Sequence, residues 1–217
     1  FKQWDEGAMY PKATIVHTIG DVSRLENYYE YQLYCNSLYT SIKNFNNETI
    51  RKLHNTNVED IVSAIDAAYP LMEDRTNMDI FTIDPSVSKD FDDALGIRQL
   101  ENGNVVLSVY ITNVVLWLNH LKLWNSFSER VSTIYLPDRK RPMLPTILSD
   151  NICSLKEKET RYAFCLDITM DSSNTIINTN YVNVKLKIKK NYCYEEEELL
   201  KKENYRNMLD IVQNMNT

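Results

Sequence analysis

The spacing of apolar and polar positions changes several times along these 217 residues, and each change marks an element. "MDIFTI" at 78–83, "ALGIRQL" at 94–100 and "VVLSVYIT" at 105–112 are apolar runs of strand length. Asp84-Pro85 breaks the first run. "ENGN" separates the second from the third, and Asn-Gly is the strongest short signal for a hairpin turn. Three successive strands are therefore predicted over 78–112. "VVLWLNHLKLWNSFSERV" then switches to 3.6-residue spacing, which predicts one helix with Leu116, His120, Leu123 and Phe127 on its packed face.

Elsewhere the pattern is weaker. "ATIVHTIG" at 13–20 is a β-branched run closed by Gly20 and reads as a strand. Residues 25–42 repeat tyrosines and apolar residues at helical spacing. "NVEDIVSAIDAAYPLM" predicts a helix with Asn57 as its N-cap and Pro70 near its end. "RYAFCLDITMD" and "IINTNYVNVKLKIKK" form a strand pair around "SSNT", with the lysines of the second strand on a solvent face. "EEEELLKKENYRNMLDIVQNM" predicts one closing helix, its acids at the positive end of the helix dipole. The mixture implies an α+β fold, a twisted mixed sheet with helices packed against it. No internal repeat interrupts it.

Composition narrows the function class. The chain is 43% hydrophobic and 25% charged, and its 4 Gly and 6 Pro argue against a linker-rich protein. A net charge of -6 speaks against a protein that coats nucleic acid through phosphate contacts alone. It does not speak against an enzyme whose carboxylates hold metal ions, since those ions reverse the local field. Cys35, Cys153, Cys165 and Cys193 are scattered, without C-x-x-C or zinc-ligand spacing, so free thiols in a reducing, intracellular setting are expected. Residues 105–124 are apolar enough to raise a membrane question. Their polar residues and their change of period fit a strand running into a helix, so a soluble protein with no membrane partner is expected. The chain starts at Phe1, which reads as a start inside a longer product, and no signal-peptide pattern follows.

The candidate chemistry lies in "IDPSVSKDFDDALGI" at 83–97, which places Asp84, Asp90, Asp92 and Asp93 within ten residues. Carboxylates this close repel one another unless they fan into water or share a cation. In an extended segment Asp90 and Asp92 point the same way and Asp93 the other, unless the backbone turns. Oxygen ligands without His or Cys suit Mg²⁺, with Mn²⁺ as the alternative, rather than zinc. An EF-hand is excluded, because Ala94 stands at the fifth ligand position and no glutamate stands at the twelfth. From spacing alone, a solvated acidic loop and a metal site both remain open.

"TIDPSVSKDFDDALGI" resembles the signature of the RNB family of exoribonucleases, T-(I/V)-D-P followed by D-(F/L)-D-D-A. This is the ribonuclease II and ribonuclease R group, which includes the catalytic subunit of the eukaryotic exosome. The similarity continues in order. "LENGNVVLSVYITNVV" resembles the segment ending in H-I-A-D-V, and "ERVSTIYLPDRKRPMLPTILSDNICSL" resembles R-G-T-S-V-Y-L-P, P-M-L-P and C-S-L. "YCYEEEELL" resembles the start of the T-Y-E-E-A helix, and "VHTIGD" the end of a cold-shock-type OB domain. The resemblance covers most of residues 10–200. It implies an RNB nuclease fold, partial here, with residues 1–24 ending an OB/cold-shock-like domain and 25–217 forming the first part of the catalytic domain.

The resemblance also implies roles. Asp84, Asp92 and Asp93 are expected to hold Mg²⁺, with Asp90 a further ligand or a support, and Asp92 is expected to be the carboxylate most needed for chemistry. In such enzymes single-stranded RNA is hydrolysed from its 3′ end to nucleoside 5′-monophosphates. One ion activates water and another, roughly 4 Å away, stabilises the leaving oxygen. Tyr135, in the V-Y-L-P block, is expected to stack on the 3′-terminal nucleotide. Arg139, Lys140 and Arg141 either contact phosphates or form an exposed charged loop. His17, His54 and His120 receive no catalytic role, and His120 is expected to be packed.

Three positions depart from the pattern. Tyr110 and Asn113 replace the His and Asp of H-I-A-D-V, which removes an acid beside the expected site. Val131 replaces the Gly of R-G-T-S and is expected to strain a tight backbone. The family's further catalytic acid, its H-F-T-S-P-I-R-R-Y-like block and its S1-type domain would follow Thr217. The expected partners are single-stranded RNA, the remaining domains and a larger RNA-decay complex. The alternative reading is an inactive RNB-like scaffold serving as an RNA-binding or assembly subunit, and a weaker third is a DNA-directed phosphodiesterase.

Overall fold

A computed structural model describes residues 1–15, 17–54, 56–194 and 196–215. The chain divides into two compact units, Phe1–Ser41 and Ile42–Thr217. In the first, Gln3 and Lys12 form an isolated antiparallel bridge, and α1 spans Leu25–Cys35. The strand expected at 13–20 is not present among its described residues (Val16 lies outside them). Ile15 is 85% exposed, and a β-branched run without a neighbouring strand to bond has nothing to hold it extended. Helix α1 is shorter than its pattern suggested. Ser37 takes a left-handed conformation (φ 58°) and the Leu38 N–H turns back to the Leu33 carbonyl at 2.7 Å, a Schellman-type stop.

The second unit opens with α2 (Lys43–His54) and α3 (Val58–Ala68). Asn57 caps α3 as predicted, its side-chain oxygen accepting from the Glu59 N–H at 3.1 Å. A seven-stranded sheet follows, built from β1 (Glu73–Arg75), β2 (Ile80–Asp84), β3 (Asp93–Gln99), β4 (Val105–Thr112), β7 (Thr160–Met170), β8 (Ile176–Lys187) and β9 (Lys190–Cys193). Its spatial order is β1-β8-β7-β4-β3-β2-β9. The β3–β4 and β7–β8 hairpins and the β2–β3 and β4–β7 contacts are antiparallel, whereas β1–β8 and β2–β9 at the two ends are parallel. Strand β5 (Ile134–Tyr135) and β6 (Lys140–Arg141) form a separate two-stranded ribbon.

Two apolar clusters hold helices to the sheet. Phe45, Ile61 and Ile65 of α2 and α3 meet Leu116 and Trp117 of α4 (Val114–His120), together with Leu148, Ile152 and Tyr162. Phe81, Leu107, Met170 and Tyr192 of the sheet meet Leu199 of α5 (Glu197–Lys201) and Met208 and Ile211 of α6 (Glu203–Met215). On β8 the alternation behaves as read from sequence: Val184, Leu186 and Ile188 are buried, with Lys187 and Lys189 exposed between and beyond them. The result is the α+β architecture that the pattern implied.

Two further helical segments differ from expectation. Helix α4 stops at His120, because Lys122 turns left-handed (φ 53°) and the Leu123 N–H closes onto the Leu118 carbonyl at 3.0 Å. A short 3-10 turn at Trp124–Ser126 follows. Leu116 and Leu123 are buried as expected, but His120 and Phe127 are exposed rather than packed. The closing segment is two helices, broken at Lys202, whose backbone is extended; Glu195 lies outside the described residues. That break lets the Lys202 ammonium bond Asp79 at 2.9 Å and sit 4.6 Å above the Phe81 ring. A tertiary contact thus outweighs the local preference for one continuous helix.

The four cysteines are free thiols. Residues 105–124 form β4 and α4, and among the described residues no helix is long and apolar enough to cross a membrane.

Candidate functional site

The four aspartates lie where β2 ends and β3 begins. Strand β2 is held on one side by β9, with Asp84 opposite Cys193 and the Tyr194 N–H bonded to the Asp84 carbonyl at 3.2 Å. Pro85 ends the strand, and the Ser88 N–H closes a turn onto its carbonyl at 3.0 Å. Residues 85–92 then return without strand structure to Asp93, which begins β3 opposite Ile111. On the other side of β2, Ile80 faces Gly96 and Phe81 faces Leu95, and the same register carried onward brings Asp84 level with Asp92.

Backbone bonds fix the returning loop. The buried Ser154 hydroxyl accepts from the Phe91 N–H at 3.0 Å and donates to the Lys89 carbonyl at 3.2 Å. The Leu155 N–H reaches the Phe91 carbonyl at 2.8 Å, and the Thr112 N–H reaches the Asp92 carbonyl at 2.8 Å. Phe91 is therefore bonded on both sides, between the two acids Asp90 and Asp92. Ser154 belongs to the "CSL" block noticed in the sequence, but nothing in a lone serine announces that it pins the acidic loop.

The acids act on one another. Burial raises the Asp84 carboxyl above the usual carboxylate range, and the charges of Asp93 and Asp90 raise it further against a bond from Thr82. Asp92 is raised first by the protein atoms that crowd its carboxylate, although its surface is partly open, then by Asp90, Asp93 and Asp84, with Lys140 opposing. Asp84 Oδ2 is buried with no hydrogen-bond partner among the described residues. Such an orphaned oxygen beside like charges fits a hard divalent cation, which would satisfy it and offset the repulsion. As placed, however, no group of three or more His, Cys, Asp or Glu side chains among the described residues is close enough to hold an ion. The four carboxylates share a field without forming a closed ligand shell.

Lys140 enters the cluster from the β5–β6 ribbon. Its Nζ lies 3.2 Å from Asp90 Oδ2 and 3.3 Å from Asp150 Oδ1, the latter on a π-helical turn at Leu148–Ile152. Burial opposes its charge, but the two carboxylates prevail and its pKa is raised. The opposite strand of the ribbon places Tyr135 directly across from Lys140, with its ring 74% exposed. Of the neighbouring cations, Arg139 is paired with Asp138 at 2.7 Å, and Arg141 faces Ile134 across the ribbon. Asp150, the second carboxylate that Lys140 reaches, carried no sequence signal beyond being one more acid.

The three departures resolve differently. Tyr110 is buried and its hydroxyl accepts from Arg75 Nη1 at 3.3 Å. Arg75, also buried, bonds both oxygens of Asp167 at 2.8 and 2.6 Å, and this pairing with a bond from Ser108 outweighs burial to hold Asp167 down at about 2. Asn113 caps α4, accepting from the Leu116 N–H at 3.3 Å and donating to Asn183 at 2.8 Å. Val131 is 83% exposed and is not among the residues with positive φ, so the strain expected there is absent. The left-handed region that favours glycine is simply not used at this position.

The sequence profile of the RNB domain matches residues 72–215. The chain is 31% identical over 185 residues to exosome complex exonuclease RRP44 homolog A of Arabidopsis thaliana, a match covering 85% of this chain and 19% of that protein. It thus spans about a fifth of that relative's length. Among solved structures, Mycoplasma genitalium RNase R in complex with ribose methylated single-stranded RNA superposes with a TM-score of 0.67 at 24% identity, covering 90% of this chain and 31% of that one. Yeast Ssd1, described as a pseudonuclease, superposes with a TM-score of 0.58 at 20% identity, covering 68% of this chain and 19% of that one. At these identities the two structures speak for the fold. With the aspartates at the strand end, the sheet around them and the profile match over most of the second unit, the chain belongs to the RNB family.

Proposed function

We propose that this chain is the metal-binding part of a Mg²⁺-dependent exoribonuclease that shortens single-stranded RNA from its 3′ end and releases nucleoside 5′-monophosphates. The observation that carries the reading is the set of four mutually repelling aspartates at the end of β2 and the start of β3, with Asp84 Oδ2 buried and unpaired. Asp84, Asp92 and Asp93 would hold Mg²⁺, or Mn²⁺ in its place, and Asp90 would complete or support the set. When bound, the metal supplies activated water and charge compensation at the scissile phosphate. The chain's own work is to orient. Ser154, Leu155 and Thr112 fix the backbone on which Asp90 and Asp92 stand. Lys140 holds Asp90, and the exposed Tyr135 ring offers a flat face on which any base can stack, worth ~1–3 kcal/mol. The names of the relatives, an exosome exonuclease and an RNA-bound RNase R, support RNA as substrate and a larger RNA-decay assembly as a partner.

The test uses the full natural gene product. With Mg²⁺ it should shorten single-stranded RNA from the 3′ end, and EDTA should stop it. Asp92→Asn should lower the rate by about 10²–10³-fold, the range for loss of a group that stabilises developing charge, while RNA binding survives. Undiminished cleavage by Asp92→Asn would reject this site.

One observation favours a second reading, an RNB scaffold that binds RNA or assembles partners without cutting. The Lys140 ammonium already neutralises part of the cluster, and among the described residues no three His, Cys, Asp or Glu side chains are placed to hold an ion. RNA binding without cleavage by the full product in either Mg²⁺ or Mn²⁺ would select it.

A further inference from the structure

A second charged surface lies on the same sheet, and its sign is opposite. Lys158, Lys185, Lys187 and Lys189 line one cleft of about 550 Å³, together with Asp74, Thr76, Asn77, Thr160 and Ile188. The lining holds four lysines and one acid, an excess of positive charge in a chain of net charge -6 even though two of the lysines are paired with acids outside it. The cleft is built by strand pairing. Asp74 faces Lys185 across β1–β8, Thr160 faces Lys187 across β7–β8, and the Lys158 N–H bonds the Ile188 carbonyl at 2.9 Å. Lys158 holds a left-handed backbone (φ 64°), an uncommon conformation for a residue other than glycine.

The lysines differ in what they already touch. Lys185 bonds Asp66 at 2.5 Å and Lys158 bonds Glu157 at 2.9 Å. Lys187 and Lys189 are exposed and have no anionic partner among the described residues. The one acid lining the cleft, Asp74, is already engaged by the Thr76 N–H at 2.9 Å and hydroxyl at 2.7 Å. Ammonium groups beside neutral Thr and Asn side chains suit a chain of phosphates and sugar hydroxyls. No aromatic ring lines the cleft, so it has no platform for bases.

Position decides the partner. The Lys189 N–H bonds the carbonyl of Ile80, the first residue of β2, and Asp84 is the last residue of that strand. Lys189, on the rim of the basic cleft, and Asp84 therefore stand at opposite ends of one strand, which spans about 13 Å at 3.3 Å per residue. A second link joins them, since Ser154 and Leu155 pin the acidic loop and the chain reaches the cleft at Lys158.

We propose that this lysine cleft holds the phosphodiester backbone of single-stranded RNA upstream of the end presented to the aspartates, as a sequence-independent grip. The choice of RNA rests on the functional reading above. The grip is electrostatic, so its signature is salt dependence. Each lysine that neutralises a phosphate of a single strand contributes about 0.7 to the slope of log affinity against log salt.

The experiment measures fluorescence anisotropy of a labelled single-stranded RNA on the full natural gene product carrying Asp92→Asn, so that the probe survives. Lys187→Gln with Lys189→Gln should lower the slope by about 1.4. Between about 50 and about 200 mM salt, the variant should then lose roughly sevenfold less affinity than its parent. The exposed pair Lys122→Gln with Lys201→Gln, away from the cleft, should leave the slope unchanged. Thermal melts verify that each pair folds, and Lys187→Arg with Lys189→Arg should restore the slope. An unaltered slope in the folded Gln pair overturns the proposal. So does a loss confined to an acidic peptide probe, which would identify a protein partner instead. Cleavage by the protein with native Asp92 is read separately: cleavage with an unaltered slope sinks the cleft alone, and an altered slope without cleavage sinks the nuclease reading alone.

Discussion

At the scale of single residues, the acid cluster has a cost that can be read in solution. Asp84 and Asp92 have pKa values raised above the ordinary carboxylate by burial and by their neighbours' charges. The native state therefore holds protons more tightly than the unfolded state, and stability falls as pH rises through the window from the unfolded value up to the raised native one. Without divalent cation, Asp92→Asn should be at least as stable as the parent at about pH 7, with only a small gain because solvent screens the exposed Asp92 carboxylate. The advantage should vanish below about pH 3.8, where the carboxyl is protonated in both states. Calorimetry of both proteins in EDTA across pH checks this. A variant less stable than its parent at neutral pH would mean that Asp92 makes favourable contacts instead. The identities of the four acids were readable from spacing alone. Their orphaned oxygen, the intrusion of Lys140 and the part of Asp150 were not, because each depends on which distant segments meet.

At the scale of elements, local rules predicted what local interactions control. The Asn-Gly turn set the β3–β4 hairpin, Asn57 set the start of α3, and alternation set the buried face of β8. The misses are elements decided elsewhere in the chain. Strand β9 is only four residues long and joins β2 in parallel across more than a hundred positions, which no local period reports. The β5–β6 ribbon has two residues in each strand, too few to show alternation. The closing helix breaks where Lys202 gains Asp79 and Phe81. The loop carrying Asp90 and Asp92 is likewise held from a distance, by Ser154. Ser154→Ala should leave the Phe91 N–H unsatisfied and cost about 1–3 kcal/mol. Urea unfolding would give the loss, and faster amide exchange confined to residues 89–92 would place it. Unchanged exchange there would show that Leu155 and Thr112 hold the loop without the serine.

At the scale of the whole molecule, the sheet separates charge of opposite sign, with acids at the end of β2 and Lys189, on the rim of the lysine cleft, bonded to its start. The acidic end is incompletely compensated, since Lys140 answers Asp90 while Asp84 keeps a buried oxygen without a partner. A ligand that binds only the folded chain adds RT ln(1 + [L]/Kd) to its stability, about 2.7 kcal/mol at a hundredfold excess over Kd. For a chain of this size that corresponds to a rise in melting midpoint of roughly 5–10 °C. Mg²⁺ or Mn²⁺ should produce such a rise with saturation, and Asp84→Asn should flatten it, because the carboxylate that supplies the unpaired oxygen is gone. Neutral salt at matched ionic strength should not reproduce it, since screening acts on all exposed charges and does not saturate at a site. A rise of the same size in Asp84→Asn would move the ion elsewhere on the chain. No rise in the native protein would mean that Lys140 and solvent already suffice for the cluster, and the scaffold reading would then account for the acids better than the nuclease reading does.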